Sequence, residues 1–395
     1  MAVRTIKDNV YYVGAIDWQR RLFDSLIPLP DGTSYNAYLI RGNDRTALID
    51  TVDPSREQEL LSNLKELGVE KLDYIIANHA EQDHSGLIGR MAELHPESKI
   101  VTNPKCKDLL REHLLVSEDR FLTVEDGQSL PLGGKTLQFM LAPWVHWPET
   151  MFTYLVEDKI LFPCDFLGAH LATSELFVES VADFHEAAKR YYAEIMMPFR
   201  NNVQKHLARL AGVDIRVVAP SHGPIHLNPE SIIKAYSEWS SDSVKNEVVI
   251  PYISMHGSTQ RMVDYLVGEL IGRRIVVKPF DLVVTDVGKL AMALVDAATI
   301  VIAAPTVLVG PHPLAVYATY LANALRPKVR FAGVVGSYGW GSKMLDTIKA
   351  MIPDLKVEVL TPVIVKGYPK PADFEALGKL ADEILGKHRQ AGLTA

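Results

Sequence analysis

The chain has 395 residues, 48% hydrophobic and 23% charged, with 41 Lys and Arg against 48 Asp and Glu for a formal net charge of −7. That length exceeds what one hydrophobic core usually supports, so about two domains are expected, and the acidic balance argues against nucleic acid or an anionic membrane surface as the main partner. No apolar run reaches the roughly 18 residues that span a bilayer and the opening residues have no signal-peptide core, so a cytosolic protein without a membrane partner is expected.

The first half begins with short strands. Residues 35–40 and 47–52 flank Gly42-Asn43-Asp44-Arg45, a hairpin by pattern and turn chemistry. A helix is predicted over 55–67. An apolar strand over 72–77 then runs into the polar stretch His79-Ala80-Glu81-Gln82-Asp83-His84. A helix over 86–94, strands at 136–140, 152–156 and 159–162, and one long helix over 185–210 follow. Strands first, then strands mixed with helices, predict an α/β sandwich of two sheets with helices outside. The serine-rich stretch 237–245 marks a boundary, giving domains at 1–246 and 247–395.

The polar stretch holds four potential metal ligands in six residues: His79, Glu81, Asp83 and His84. A carboxylate among imidazoles shifts preference from zinc toward harder, oxygen-liking redox metals. Three more ligand types stand where later strands open into loops. These are His146 within Trp144-Val145-His146-Trp147-Pro148, Asp165 after Phe162-Pro163-Cys164, and His222 ahead of Gly223-Pro224. Alone, His146 reads more readily as a packed histidine and Asp165 as a turn or cap residue. Together the seven donors exceed the three or four that one ion with an open position needs, and suit two ions sharing a bridging carboxylate. The two cysteines, Cys106 and Cys164, cannot build a four-cysteine cluster and read as buried thiols.

From about residue 246 the pattern becomes regular. Strands at 247–253, 275–280, 299–304, 329–336 and 356–365 alternate with helices at 259–273, 287–297, 314–325, 343–351 and 372–388, which predicts a doubly wound parallel sheet. The first strand enters a helix through Ser254-Met255-His256-Gly257-Ser258-Thr259. Hydroxyls, a glycine and a helix N-terminus make a phosphate cradle, although Ser and Thr also cap helices for structural reasons. Two later loops at strand carboxyl ends, where a doubly wound sheet binds its ligand, would wrap the rest of that ligand: Pro305-Thr306-Val307-Leu308-Val309-Gly310 and Ser337-Tyr338-Gly339-Trp340-Gly341, with Tyr338 or Trp340 offering an aromatic contact. No Gly-x-Gly-x-x-Gly follows the first strand, which disfavours a dinucleotide, and a single phosphate loop fits FMN.

The combination of His79-x-Glu81-x-Asp83-His84, His146, Asp165 and Ser221-His222-Gly223-Pro224 resembles the flavodiiron proteins, or A-type flavoproteins, over essentially the whole chain. The resemblance implies an N-terminal αββα metallo-β-lactamase-like sandwich joined to a flavodoxin-like, five-stranded doubly wound parallel sheet. It implies one non-haem Fe held by His79, Glu81 and His146, a second held by Asp83, His84 and His222, and Asp165 bridging them. Glu81 stands where the hydrolase branch has a second histidine. His170 and Tyr192 resemble residues that supply protons beside the irons. Asp24 replaces a histidine common in the family, Val307-Leu308-Val309 replaces asparagines, and His226 lies outside the motif. The implied activity passes electrons from an external donor (rubredoxin, a flavin reductase or reduced F420) through FMN to the irons, which reduce O2 to water, NO to N2O, or both. A head-to-tail homodimer, or a dimer of dimers, is implied as well. Two rivals stand beside this reading. One is a dinuclear zinc hydrolase fused to a flavodoxin, which Glu81 disfavours, and the other is an electron carrier, which the complete donor set disfavours.

Overall fold

The computed structural model describes residues 3–394, which divide into two compact units. One runs through Tyr192 and resumes over Phe199–Ser240; the other comprises Ala193–Pro198 and the chain from Ser241 on.

In the first unit a seven-stranded sheet orders Arg4–Lys7, Val10–Tyr12, Tyr38–Arg41, Thr46–Ile49, Tyr74–Ile76, Lys99–Thr102 and Phe121–Thr123. A five-stranded sheet orders Ser129–Pro131, Thr136–Leu141, Met151–Leu155, Ile160–Phe162 and Val217–Val218. Side chains alternate faces along a strand. Leu39, Leu48, Ile75 and Ile100 therefore pack with Leu60, Leu64, Ile88, Met91 and Leu110 of the helices. Their neighbours Ile40, Ala47, Ile49, Ile76 and Val101 face the second sheet at Leu137, Phe139, Met151 and Ile160. Burial of both faces is why these strands read as continuous apolar runs. The result is the expected αββα sandwich.

Two predicted elements are broken by proline. The helix expected over 185–210 is two helices, Val181–Tyr191 and Arg200–Leu210, joined by a π turn over Tyr192–Met196 and a 3-10 turn over Met197–Phe199. Pro198 has no N–H to give the ladder and its ring crowds the preceding turn, although the apolar periodicity runs straight through it. The strand expected over 356–365 becomes Glu358–Val359 and Val363–Lys366, both parallel to Phe331–Tyr338, with Pro362 between them.

The second unit is the expected doubly wound sheet. Numbered along the chain its strands lie in the order 2-1-3-4-5: Val276–Asp281, Lys245–Tyr252, Ala297–Val307, Phe331–Tyr338 and the divided last strand, all parallel. The closing helix Pro371–Gln390 is pinned to the sheet by His388, whose ring nitrogens lie 2.7 Å from Thr299 Oγ1 and 2.7 Å from Asn246 Oδ1. Burial pushes that imidazole down to about 4, so it packs as a neutral group. No helix among the described residues is long and apolar enough to cross a membrane.

Gly336 sits on the fourth strand where a Cβ would lie 2.5 Å from the carbonyl oxygen of Ala304 and 2.7 Å from Met344 Sδ. The methionine can move, but the carbonyl of the neighbouring strand cannot. Gly336→Ala is expected to destabilise the second unit by about 1–3 kcal/mol. Urea unfolding should show a lower midpoint for that unit's transition and an unmoved one for the first unit.

Candidate metal centre

The candidate ligands leave the ends of buried strands from both sheets. His79 follows Tyr74–Ile76 by way of Asn78, whose N–H and side-chain amide donate to Asp50 at 2.8 and 3.2 Å. Glu81 precedes the single turn Gln82–Ser85, which presents Asp83 and His84. His146 lies in the loop between Thr136–Leu141 and Met151–Leu155, and Asp165 lies beyond Ile160–Phe162. The Ser221 N–H donates to the Cys164 carbonyl at 2.8 Å and so ties the His222 segment to the Asp165 loop. Asp50, Trp144, Cys164 and Leu167 take left-handed φ values of 53, 67, 52 and 67°. Non-glycine residues seldom adopt this conformation; at Trp144, Cys164 and Leu167, in the His146 and Asp165 loops, it is strain held by the surrounding sheets.

All seven candidates converge. One set is His79, Glu81, His146 and Asp165, and another is Asp83, His84 and His222; within each set one donor atom per residue lies within 4.8 Å of the others. Asp165 faces both sets. Its Oδ2 lies 3.2 Å from His146 Nε2 and 3.5 Å from His79 Nε2, while its Oδ1 lies 3.0 Å from His84 Nε2 and 3.2 Å from His222 Nε2. Glu81 Oε2 stands 3.2 Å from both His79 and His146, and Asp83 Oδ2 3.2 Å from His222 and 3.4 Å from His84. Metal–ligand bonds of about 2.0–2.2 Å set adjacent donors about 3 Å apart, which matches these contacts. Neither Asp83 oxygen forms a hydrogen bond despite full burial, so its short contacts to imidazole lack hydrogen-bond alignment. Donors aimed past one another toward a common point suit a cation between them.

For two of the rings the far side sets the tautomer. His79 Nδ1–H donates to Glu149 Oε1 at 2.7 Å, and His222 Nδ1–H donates to the Ser34 carbonyl at 2.6 Å. Each leaves an Nε2 lone pair facing inward. Without a cation, protons must balance the charge. Burial opposes charge on His146 and His222, but Asp165 outweighs it at both, with Glu81 aiding the first and Asp83 the second, holding them up at about 9 and about 10. Burial likewise works against ionised Glu81 and Asp165, yet the surrounding histidines hold both well below the usual carboxylate range.

The second unit has a cleft of its own at the strand carboxyl ends, where the strand order reverses. The Ser254 hydroxyl accepts from the N–H groups of Gly257 at 3.1 Å and Gln260 at 3.2 Å, and Gly257 takes φ +85 at the start of helix Ser258–Gly272. Thr259 Oγ1 lies 3.3 Å from Ser337 Oγ. Together with Met255, His256, Ser258, Pro305, Thr306, Val307, Leu308, Tyr338, Gly339, Trp340 and Gly367 these line a space of about 370 Å³. Gly257, Val309, Gly310 and Gly341, expected in the same loops, do not line it. Val309 belongs instead to a hairpin tip. Strand Ala297–Val307 turns back into Gly310–Pro311 through Leu308 and Val309, at φ 49 and 74°. Two consecutive positive φ values are the geometry that usually takes Asn-Gly, so a leucine and a β-branched valine there are strained.

The model of the family described as ODP family beta lactamase matches residues 33–223. A nitric oxide reductase of Moorella thermoacetica is 35% identical over 97% of this chain and 98% of its own length. Rubredoxin oxygen:oxidoreductase from Desulfovibrio gigas superposes with a TM-score of 0.95 at 29% identity, covering all of both chains. The flavodiiron protein from Giardia intestinalis gives 0.89 at 28% identity, covering 98% of each chain. The chain belongs to the flavodiiron protein family.

Within this flavodiiron chain the neighbours of the cluster differ from the sequence reading at one tyrosine. His170 does lie against the cluster: its ring is 4.6 Å from that of His222 and its Nδ1 is 2.8 Å from Thr33 Oγ1. Tyr192 instead packs among Tyr236 and Trp239, with ring centroids at 5.3 and 5.5 Å. Tyr191 is the tyrosine beside the site, 4.9 Å from His170 and 5.9 Å from His222. The π turn begins at Tyr192, so no helical period counted from the sequence could separate the two. Glu149 and Asp50 carry no signal in the sequence: each is an isolated acid there, and only the fold sets it behind the ligands. Asp24 sits in the turn between Leu22–Phe23 and Ile27–Pro28, its carboxyl raised by partial burial and by the charges of Glu81 and Asp83.

These shifts give the metal-free protein a definite pH dependence. Histidines raised in the folded state add stability that is complete below about 6.5 and lost as pH climbs through 9 to 10. The depressed carboxylates add stability present above about 4.5 and lost as pH falls. Thermal unfolding of chelated protein should therefore show its highest midpoint at about pH 5–6.5 and a steady fall from 7 to 10. Metal loading requires neutral imidazoles and should remove the alkaline fall. A flat midpoint from pH 7 to 10 without metal would show that the histidines are not held as cations.

Proposed function

We propose that this chain is a flavodiiron reductase in which residues 1–246 carry two non-haem irons and residues 247–395 carry FMN, and that it reduces O2 to water, NO to N2O, or both. The observation that supports this most is the double donor set around Asp165, with Glu81 adding a carboxylate to one set. When bound, the flavin supplies a store of electrons and the iron pair a two-electron reductant with open positions for a diatomic gas.

The chain's own residues define the rest. His79, Glu81 and His146 hold one ion, Asp83, His84 and His222 hold the other, and Asp165 serves both. Three carboxylates offset the charge of the pair, and Glu149 and the Ser34 carbonyl keep two imidazoles in the ligating tautomer. His170 lies at the edge of the cluster, buried with its Nε2 lacking a hydrogen-bond partner, and burial, followed in the metal-free state by the charge of His222, holds it neutral. The Phe23 ring, 5.1 Å from His170 and 6.4 Å from His222, keeps bulk water from that side. In the second unit Ser254, Ser258, Thr259 and the helix N-terminus hold a phosphate. Val307, Leu308 and Trp340 give the ring an apolar wall. The donor is rubredoxin, a flavin reductase or reduced F420; the working form is a cytoplasmic head-to-tail homodimer or a dimer of dimers. These last assignments rest on the family resemblance.

Protein produced with iron available should contain two irons and one FMN per chain, and after anaerobic reduction should be reoxidised by at least one of the two gases. Asp165→Ala removes the donor common to both sets. It should leave FMN bound, lower iron below one per chain and cut gas reduction by more than about 100-fold. Two zinc ions and no iron in the native protein, or reduced and fully loaded protein that neither gas reoxidises, would overturn the assignment.

A further inference from the structure

By count the two metal positions are equivalent. Each has two imidazoles, one carboxylate of its own, and a share of Asp165. The difference lies behind the histidines. His79 Nδ1–H donates to the carboxylate of Glu149 at 2.7 Å, and both side chains are wholly inaccessible to solvent. The same Glu149 oxygen accepts the Ala80 N–H at 3.0 Å, and the Glu149 carbonyl accepts from Asn103 Nδ2 at 2.6 Å, so the acid is fixed at both ends. At the other position His222 is backed by a neutral carbonyl, that of Ser34, and the buried Nδ1 of His84 has no partner. A carboxylate behind an imidazole raises its basicity as a ligand and orients the ring more firmly than a carbonyl does. Asp50, the other buried acid behind the ligands, accepts from the Asn78 N–H and side-chain amide rather than from a ligand imidazole, so it does for His84 nothing like what Glu149 does for His79.

Access points the same way. Of the first position's own ligands, Glu81 and His146 keep 14% and 13% of their side-chain surface exposed and His79 none. Asp83 and His222 keep 4% and 2% and His84 none, so the opening lies on the Glu81–His146 side. An arriving ion meets the first position before the second.

We propose that Glu149 is a positioning residue that makes the His79–Glu81–His146 position the tighter of the two and the first to fill. This rests on the reading of the cluster as a two-ion site but not on which gas is reduced.

Anaerobic titration of the full-length, chelated protein with Co(II), followed by its visible d–d absorption, tests it. The native protein should bind two equivalents in unequal steps with different spectra. Glu149→Gln keeps the shape and an acceptor oxygen but removes the charge. It should weaken the first step about 10–100-fold and leave the second unchanged, so that the steps merge. Asp83→Asn leaves Glu149 untouched and should remove the second step alone, which decides the filling order even if the glutamine variant fails to fold. A single step of two equivalents in native protein, equal weakening of both steps in Glu149→Gln, or loss of the tight step in Asp83→Asn would each overturn the proposal. Two unequal cobalt steps in a protein that reduces neither gas would overturn the reductase reading and leave this inference standing.

Discussion

The arrangement of the first unit depends on one carboxylate shared between four imidazoles. Each oxygen of Asp165 faces the Nε2 atoms of two histidines, at 3.0–3.5 Å. Seven ionisable side chains this close and this buried would be strongly unfavourable if they carried charge of one sign. Mixed carboxylate and imidazole make the cluster tolerable, and protons or metal ions must complete the neutralisation. The remaining features serve to hold that balance: two sheets whose strand ends deliver the loops, left-handed residues that turn them inward, and outer partners that fix which ring nitrogen faces the centre.

The second unit meets a milder demand with cheaper means. The phosphate and flavin ring proposed for it would call for backbone N–H groups, hydroxyls and an apolar wall rather than a buried charged cluster. Ser254, Thr259 and Ser337 supply the hydroxyls, and the reversal of strand order supplies the opening. The strained Leu308–Val309 tip is the exception. There the chain keeps a tight two-residue hairpin without the residues that make one easy, and sets an 86% exposed leucine at the cleft's edge.

The legibility of these features in the sequence follows from the range of the forces involved. Strand alternation is local, so the layers of both units and the parallel order of the second were readable. The six-residue spacing from His79 to His84 is also local, and it yields a strand end and one helical turn that present four donors together. His146, Asp165 and His222 were readable because each follows an apolar run at a break in pattern. Pro198 and Pro362 were visible too, but the surrounding hydrophobicity continued through them and masked the breaks they impose.

The sequence by itself determined the donor chemistry, the two-unit plan and the flavodiiron resemblance, because residue type, short spacing and periodicity act over one or two turns of chain. Only the tertiary structure decided how Asp165 divides its oxygens between the two sets, that Tyr191 rather than Tyr192 faces the cluster, and that Glu149 stands behind His79. Those relations join residues up to about 190 positions apart, such as His222 and Ser34. Their geometry is fixed by packing two sheets against one another, which no local pattern encodes.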